Sequence, residues 1–197
     1  MKRLINFILV MMMIAPLYAE FKIIGGINHS KYNSSPNEEN ITWSNKFGFL
    51  GGIGLERGFT PNLIFEFDFL FFQKGGNARF SDSKMKYSLN VVSIPILVKN
   101  KFIYGTSPYI LGGVEFSSIL SHKSKVEGEE AEDLKDNTKS IDFGFVLGCG
   151  FEIELKEFFY FFIEARYHLG QRNIVSSIVE DQPIRTRAML VVIGIKS

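Results

Sequence analysis

Cysteine occurs once, at Cys149, and a single cysteine cannot build an intramolecular disulfide framework. Histidine occurs three times, as His29, His122 and His168, and none sits at metal-ligand spacing from the cysteine. No cofactor or metal is therefore expected. An excess of one charge is also missing. The 22 Lys and Arg residues nearly cancel the 21 Asp and Glu residues, which gives no electrostatic footprint for nucleic acid. No phosphate loop, dinucleotide fingerprint or zinc motif is present. Beyond Ala19 no apolar run reaches the ~20 residues of a transmembrane helix. Any membrane span of the mature chain must then be made of strands.

Phenylalanine is abundant, with 20 residues. The stretch that carries most information is 141–155, IDFGFVLGCGFEIEL. Alternate positions Ile141, Phe143, Phe145, Leu147, Cys149, Phe151, Ile153 and Leu155 are all apolar. The other set is Asp142, Gly144, Val146, Gly148, Gly150, Glu152 and Glu154. Strands send successive side chains to opposite faces, so this is one long strand with a wholly apolar face. At that rise it spans roughly 45–50 Å, well beyond an ordinary globular strand.

The N-terminus has the form of a secretory signal. Lys2 and Arg3 precede an apolar run over 4–14, broken only by Asn6. Leu17-Tyr18-Ala19 before Glu20 supplies a cleavage site. Residues 1–19 are expected to be this signal and 20–197 a single barrel domain.

Seven further strands are expected at 21–29, 45–58, 63–74, 84–98, 107–120, 158–169 and 184–196. Loops are expected at 30–43, 75–83, 121–140 and 170–183, and short turns at the other connections. Pro95 should sit near a strand end or a bulge, and the alternation slips around 89–92. Long and short connections alternate. The fold class is all-β: an eight-stranded antiparallel up-and-down transmembrane β-barrel, monomeric, in the outer membrane. Even strand number allows closure without an edge in lipid. Tyr87, Tyr104, Tyr109, Tyr160 and Tyr167, near strand ends, are candidates for an interfacial girdle.

The polar parity of the strands collects Glu56, Glu66, Asp68, Glu115, Asp142, Glu152, Glu154, Glu164, Arg166, His168, Arg185 and Arg187. In a soluble lipocalin-like barrel these would meet water, and the phenylalanines would line an apolar ligand cavity. In a membrane barrel they point inward and pair. Gly48, Gly52, Gly54, Gly113, Gly144, Gly148 and Gly150 share the polar parity. A crowded eight-stranded interior needs small residues beside large ones, whereas a solvated face does not. The membrane reading follows, with the twelve polar residues as a structural interior network.

Two motifs nearly carry chemistry. His29 and His168 stand at loop-proximal strand ends, and Ser176, Ser177, Glu180 and Asp181 lie in the last loop. A lipid-modifying barrel enzyme would need one of these histidines to meet a serine and an acid. No spacing ties them together, so no catalytic residue is assigned. The acidic segment 127–136 lacks the ligand alternation and turn glycine of a calcium loop and is expected to be solvated surface.

Several motifs in order resemble the PorT-like outer-membrane β-barrel domain family common in Bacteroidetes. They are Ser93-Ile94-Pro95-Ile96-Leu97-Val98-Lys99, Pro108-Tyr109-Ile110-Leu111-Gly112-Gly113 and Asp142-Phe143-Gly144-Phe145-Val146-Leu147-Gly148. Glu164-Ala165-Arg166-Tyr167 with Gly170 and Asn173-Ile174, and the terminal Ile193-Gly194-Ile195, complete the set. Family members usually carry an acid where Ser93 stands, and many end in an aromatic residue, whereas this chain ends Ile195-Lys196-Ser197. The resemblance implies a barrel handled by the barrel-assembly machinery and surrounded by outer-membrane lipids. Its name comes from a protein needed for type IX secretion, which admits secretion or envelope proteins as partners. The expected work is structural or interaction-based, through the surface loops.

Overall fold

The computed structural model describes residues 19–34, 41–80, 83–102, 106–126, 132–133, 141–171 and 184–197. Nine strands lie among them: β1 Glu20–Ser34, β2 Ile41–Gly58, β3 Leu63–Phe80, β4 Ser83–Lys101, β5 Ser107–Val126, β6 Glu132–Asp133, β7 Ile141–Lys156, β8 Phe159–Gly170 and β9 Ile184–Lys196. The order β1-β2-β3-β4-β5-β7-β8-β9 closes back on β1, every pair antiparallel. The two-residue β6 pairs with β5 outside that ring. Closure pairs the backbone amides within the protein, as lipid requires. The expected signal at 1–19 lies outside the described residues, save for Ala19.

The alternation of the sequence becomes the two faces of the barrel. Phe65, Phe67, Phe69 and Phe71 of β3 point outward, as do Phe145, Leu147, Phe151 and Cys149 of β7. Phe49 is 73% exposed. Large apolar side chains continue round all eight strands of the ring. Soluble monomers seldom expose more than a few hundred Å2 of contiguous apolar surface, so this belt belongs against lipid. The lipocalin-like alternative required these rings inside and fails on this point.

Short connections gather at one end, at 59–62, 102–106 and 157–158. The start of β1 and the end of β9 lie there, with Phe21 N–H donating to the Ser197 carbonyl at 2.8 Å. At the other end the ladders run further than the polar composition suggested. β3 continues to Phe80 and β4 begins at Ser83, so most of the expected 75–83 loop is ladder. Likewise β1 reaches Ser34, β2 starts at Ile41 and β5 reaches Val126. A ladder above the belt meets water, so it needs no apolar alternation to persist.

Pro95 corrects another expectation. It lies buried in the middle of β4, opposite Glu115 of β5. Proline has no N–H to donate. The β3–β4 ladder accordingly skips from Phe67↔Ile96 to Leu70↔Ser93 without changing register. The bulge does fall at the level of the slipped alternation, between Asn90 and Val91. Its extra residue is Leu120, across the ladder on β5, and there the buried positions change from Ile119 to His122.

The interior is only partly polar. Ile24, Leu50, Leu70, Phe72, Phe162, Ala188, Leu190 and Val192 form one buried apolar cluster, and Leu97, Tyr109, Leu111 and Val146 form another. Tyr109 thus leaves the candidate girdle for the core. Glycine makes room for these rings. A Cβ on Gly150 would stand 2.5 Å from the Tyr109 ring, and one on Gly194 would collide with Phe162. Gly150→Val should therefore destabilise the barrel by about 1–3 kcal/mol through overpacking. Urea unfolding in detergent micelles checks this, with lipid-facing Ala165→Val expected to match the wild type.

Candidate functional site

Charged side chains from seven strands converge inside the barrel toward the short-turn end. β1 supplies Lys22, β2 Glu56, β3 Glu66 and Asp68, and β4 Lys99 and Lys101. β7 adds Glu152, β8 Glu164 and Arg166, and β9 Lys196. Arg166 is 1% exposed and lies at the centre. Its Nε donates to Glu164 at 2.6 Å, Nη1 to Asp68 at 2.7 Å and Nη2 to Glu66 at 2.6 Å. The planar guanidinium has donors enough for three acids at once, which a lysine in its place could not copy.

The lysines close the remaining charges. Lys22 Nζ lies 2.8 Å from Glu66 Oε1 and 3.1 Å from Glu56 Oε1. Those approaches are off the hydrogen-bonding direction, so Lys22 is held as an ion pair. Lys99 donates to Glu56 and stands 3.6 Å from Glu152. Lys196 donates to Glu56 at 2.8 Å and also reaches Glu152 at 3.1 Å and Glu20 at 2.6 Å on the rim. Lys101 donates to Glu152 at 2.6 Å. Tyr109 adds a hydroxyl donor to Glu164 at 2.8 Å. The cations Lys22, Lys99, Lys101, Lys196 and Arg166 thus match the carboxylates Glu56, Glu66, Asp68, Glu152 and Glu164 one for one. A buried cluster with no net charge avoids the cost of an uncompensated ion.

A smaller group lies toward the long-connection end. Glu115 accepts from Lys74 Nζ at 3.1 Å and from Ser117 Oγ at 2.8 Å, and its other oxygen is 2.5 Å from His168 Nδ1. Asp142 accepts from Thr186 Oγ1 at 3.2 Å and from the Phe143 N–H at 2.8 Å. Phe72 meets the His168 ring edge-on. Ser117 and His168 therefore both address the acid rather than each other. A nucleophilic serine would need its hydroxyl on the histidine, with the acid behind it. His168 Nε2 makes no hydrogen bond with any described residue.

Nine of the twelve expected network residues are buried inside: Glu56, Glu66, Asp68, Glu115, Asp142, Glu152, Glu164, Arg166 and His168. Glu154 is exposed at the rim, where its N–H bonds to Thr106 Oγ1, because β7 bulges there into the 157–158 turn. Arg187 points outward, because Thr186, Ala188, Leu190 and Val192 take the inward parity of β9. The Arg185 side chain lies outside the described residues, as do Ser176, Ser177, Glu180 and Asp181. The expected acidic loop 127–136 is described only at β6. Lys22, Lys74, Lys99, Lys101, Lys196 and Tyr109 were missed. A charge count would have found the lysines. Eight acids against three arginines and a histidine cannot be buried, and Lys22 and Lys74 already held the inward parity.

Among the described residues, no serine or acid is bonded to His29. It faces outward, stacked on Phe47 with centroids 4.5 Å apart, and Asn45 Nδ2 lies 3.3 Å from its Nδ1. Among the described residues, no group of three or more His, Cys, Asp or Glu side chains is placed to hold a metal.

A closed ring of eight strands, a lipid-facing belt and a neutral charged interior define an integral membrane β-barrel. The chain belongs to the outer membrane protein beta-barrel domain family, whose model matches residues 12–176. Its fold is similar to that of the outer membrane protein OprG from Pseudomonas aeruginosa, with a TM-score of 0.59 at 14% identity, covering 91% of this chain and 95% of that one. Neisserial surface protein A is also similar, with a TM-score of 0.51 at 14% identity over 89% of this chain and 95% of that one. At such identity the likeness is one of fold. No curated protein sequence matches the chain.

Replacing Arg166 by Met strands three carboxylates beside an apolar side chain. The expected loss is about 3–5 kcal/mol of unfolding free energy. Arg187→Gln, on the outer surface, should stay within about 0.5 kcal/mol of the wild type. Urea titration of both variants in micelles checks the inward and outward assignments together; equal losses would contradict them.

Proposed function

We propose that this protein is exported by its N-terminal signal and serves as a structural or interaction module, working through the long-connection end of the barrel. The observation that carries the reading is the filled interior. Arg166, Tyr109, Lys22, Phe72, Lys99 and Phe162 are fully buried within the ring. An eight-stranded barrel is just wide enough for such side chains, so solute transport is a poor fit. What remains for recognition is the polar ladder above the belt and the segments that join it. The PorT-like resemblance suggests secretion or envelope-assembly proteins as partners. The surrounding lipids and, during biogenesis, the barrel-assembly machinery complete the expected contacts of a monomer.

Two measurements test the reading. Purified protein in planar lipid bilayers should give no stepwise ion conductance. In cells, photo-crosslinkers placed within 127–140 should capture a defined envelope protein, and the same probe at Lys156 on the opposite end should not. Steady conductance together with no difference between the two ends would overturn the proposal.

A further inference from the structure

Arg187 is a cation on the outside of a membrane barrel, and it needs an explanation. The outward positions that follow it on β9 toward the short-turn end are Met189, Val191 and Ile193, all exposed and apolar. Arg187 therefore stands at the upper edge of the belt, at the long-connection end. It forms no ion pair with any described residue. Its register partner on β1 is Lys31, and Arg185 lies two residues further along β9.

The surroundings are suited to such an anion. A shallow cleft of about 150 Å3 is lined by His29, Asn45, Tyr167, Arg187, Ala188 and Met189. The Asn45 amide nitrogen lies 3.3 Å from His29 Nδ1, and a ring carrying its proton on Nε2 has a donor to offer. Every described carboxylate on β1, β2, β8 and β9 is either inside the barrel, as Glu56 and Glu164 are, or at the short-turn end, as Glu20 is. Phe47 and Met189 beside the cleft, and Ile27 and Val191 below it, offer an apolar wall. Guanidinium binds phosphate through paired donors, and an interfacial aromatic such as Tyr167 suits the headgroup level.

We propose that this cleft seats the phosphate of an outer-leaflet glycolipid, with Arg187 and His29 as its anion-binding groups and the acyl chains lying down the wall below. The cleft opens on the same face as the belt, so a membrane lipid reaches it and a phosphate dissolved in water meets it only at the headgroup layer. The proposal rests on the reading that the long-connection end faces outward from the cell.

Lipid A carrying its phosphates is the probe, and dephosphorylated lipid A is the comparison. Both are offered to the full-length protein in micelles, and bound lipid is counted by native mass spectrometry. Phosphorylated lipid A should be retained, and the double variant His29→Gln, Arg187→Gln should retain it roughly tenfold less. Lys156→Gln at the opposite end should behave as wild type. Unboiled gel mobility establishes that each variant is a folded barrel. Equal retention of dephosphorylated lipid A, or undiminished retention by the folded double variant, overturns the proposal. Orientation is tested separately: Lys125→Cys in a Cys149→Ser background should react with a membrane-impermeant maleimide on intact cells. Failure there overturns the surface-end reading and with it the outer-leaflet source, while the micelle result bears on the phosphate seat alone.

Discussion

The interior of this barrel depends on neutralising charge where water is scarce. Arg166 binds Glu66, Asp68 and Glu164 at once and so ties β8 to β3 across the lumen. Four lysines from β1, β4 and β9 then complete the balance. Apart from the half-buried Lys101, each member is buried because the others are. Removal of one leaves charge that neither solvent nor lipid can accept cheaply. The network therefore fixes which side chains point inward, and through strand alternation it fixes which point to lipid.

The rest of the architecture follows from the narrow bore. Charged and apolar groups share it, with the Leu70, Phe72, Phe162 and Leu190 cluster beside the ions. Lys22 lies over the Phe162 ring at 4.4 Å and Lys99 over the Tyr109 ring at 4.2 Å, so the two kinds of filling touch. Such contacts let a lysine lose water while keeping an electrostatic partner on every side. Gly150 and Gly194 give up side chains so that the large rings fit. The outside is correspondingly simple: a belt of Phe, Ile, Leu and Val, edged at one end by cations and aromatic residues.

Much of this was legible in the sequence because period-two alternation is a direct image of two faces. The eight strands, the outward phenylalanines, the outward Cys149 and nine inward polar residues were readable that way. Strand ends were not, because above the belt the ladder is polar on both faces and resembles a loop in composition. Arg187 departs from the expectation because both parities of β9 are apolar below it, and the structure turns Ala188, Leu190 and Val192 inward. Glu154 kept the right parity, but the bulge before Phe158, which adopts a left-handed φ of 63°, carries it out to the rim. The lysines lie outside the expected network, although its excess of carboxylates requires cations to balance it.

The most direct test of the two-faced assignment uses the single native cysteine. Cys149 and, in a Cys149→Ser background, Val146→Cys would each be labelled with a small fluorophore before refolding into bilayers containing brominated lipids. Val146 is fully buried in the interior, three residues from the outward Cys149. The account predicts strong quenching of the label at 149 and, if the barrel still folds, little quenching at 146. Strong quenching at 146 with none at 149 would turn the barrel inside out and contradict the charged interior.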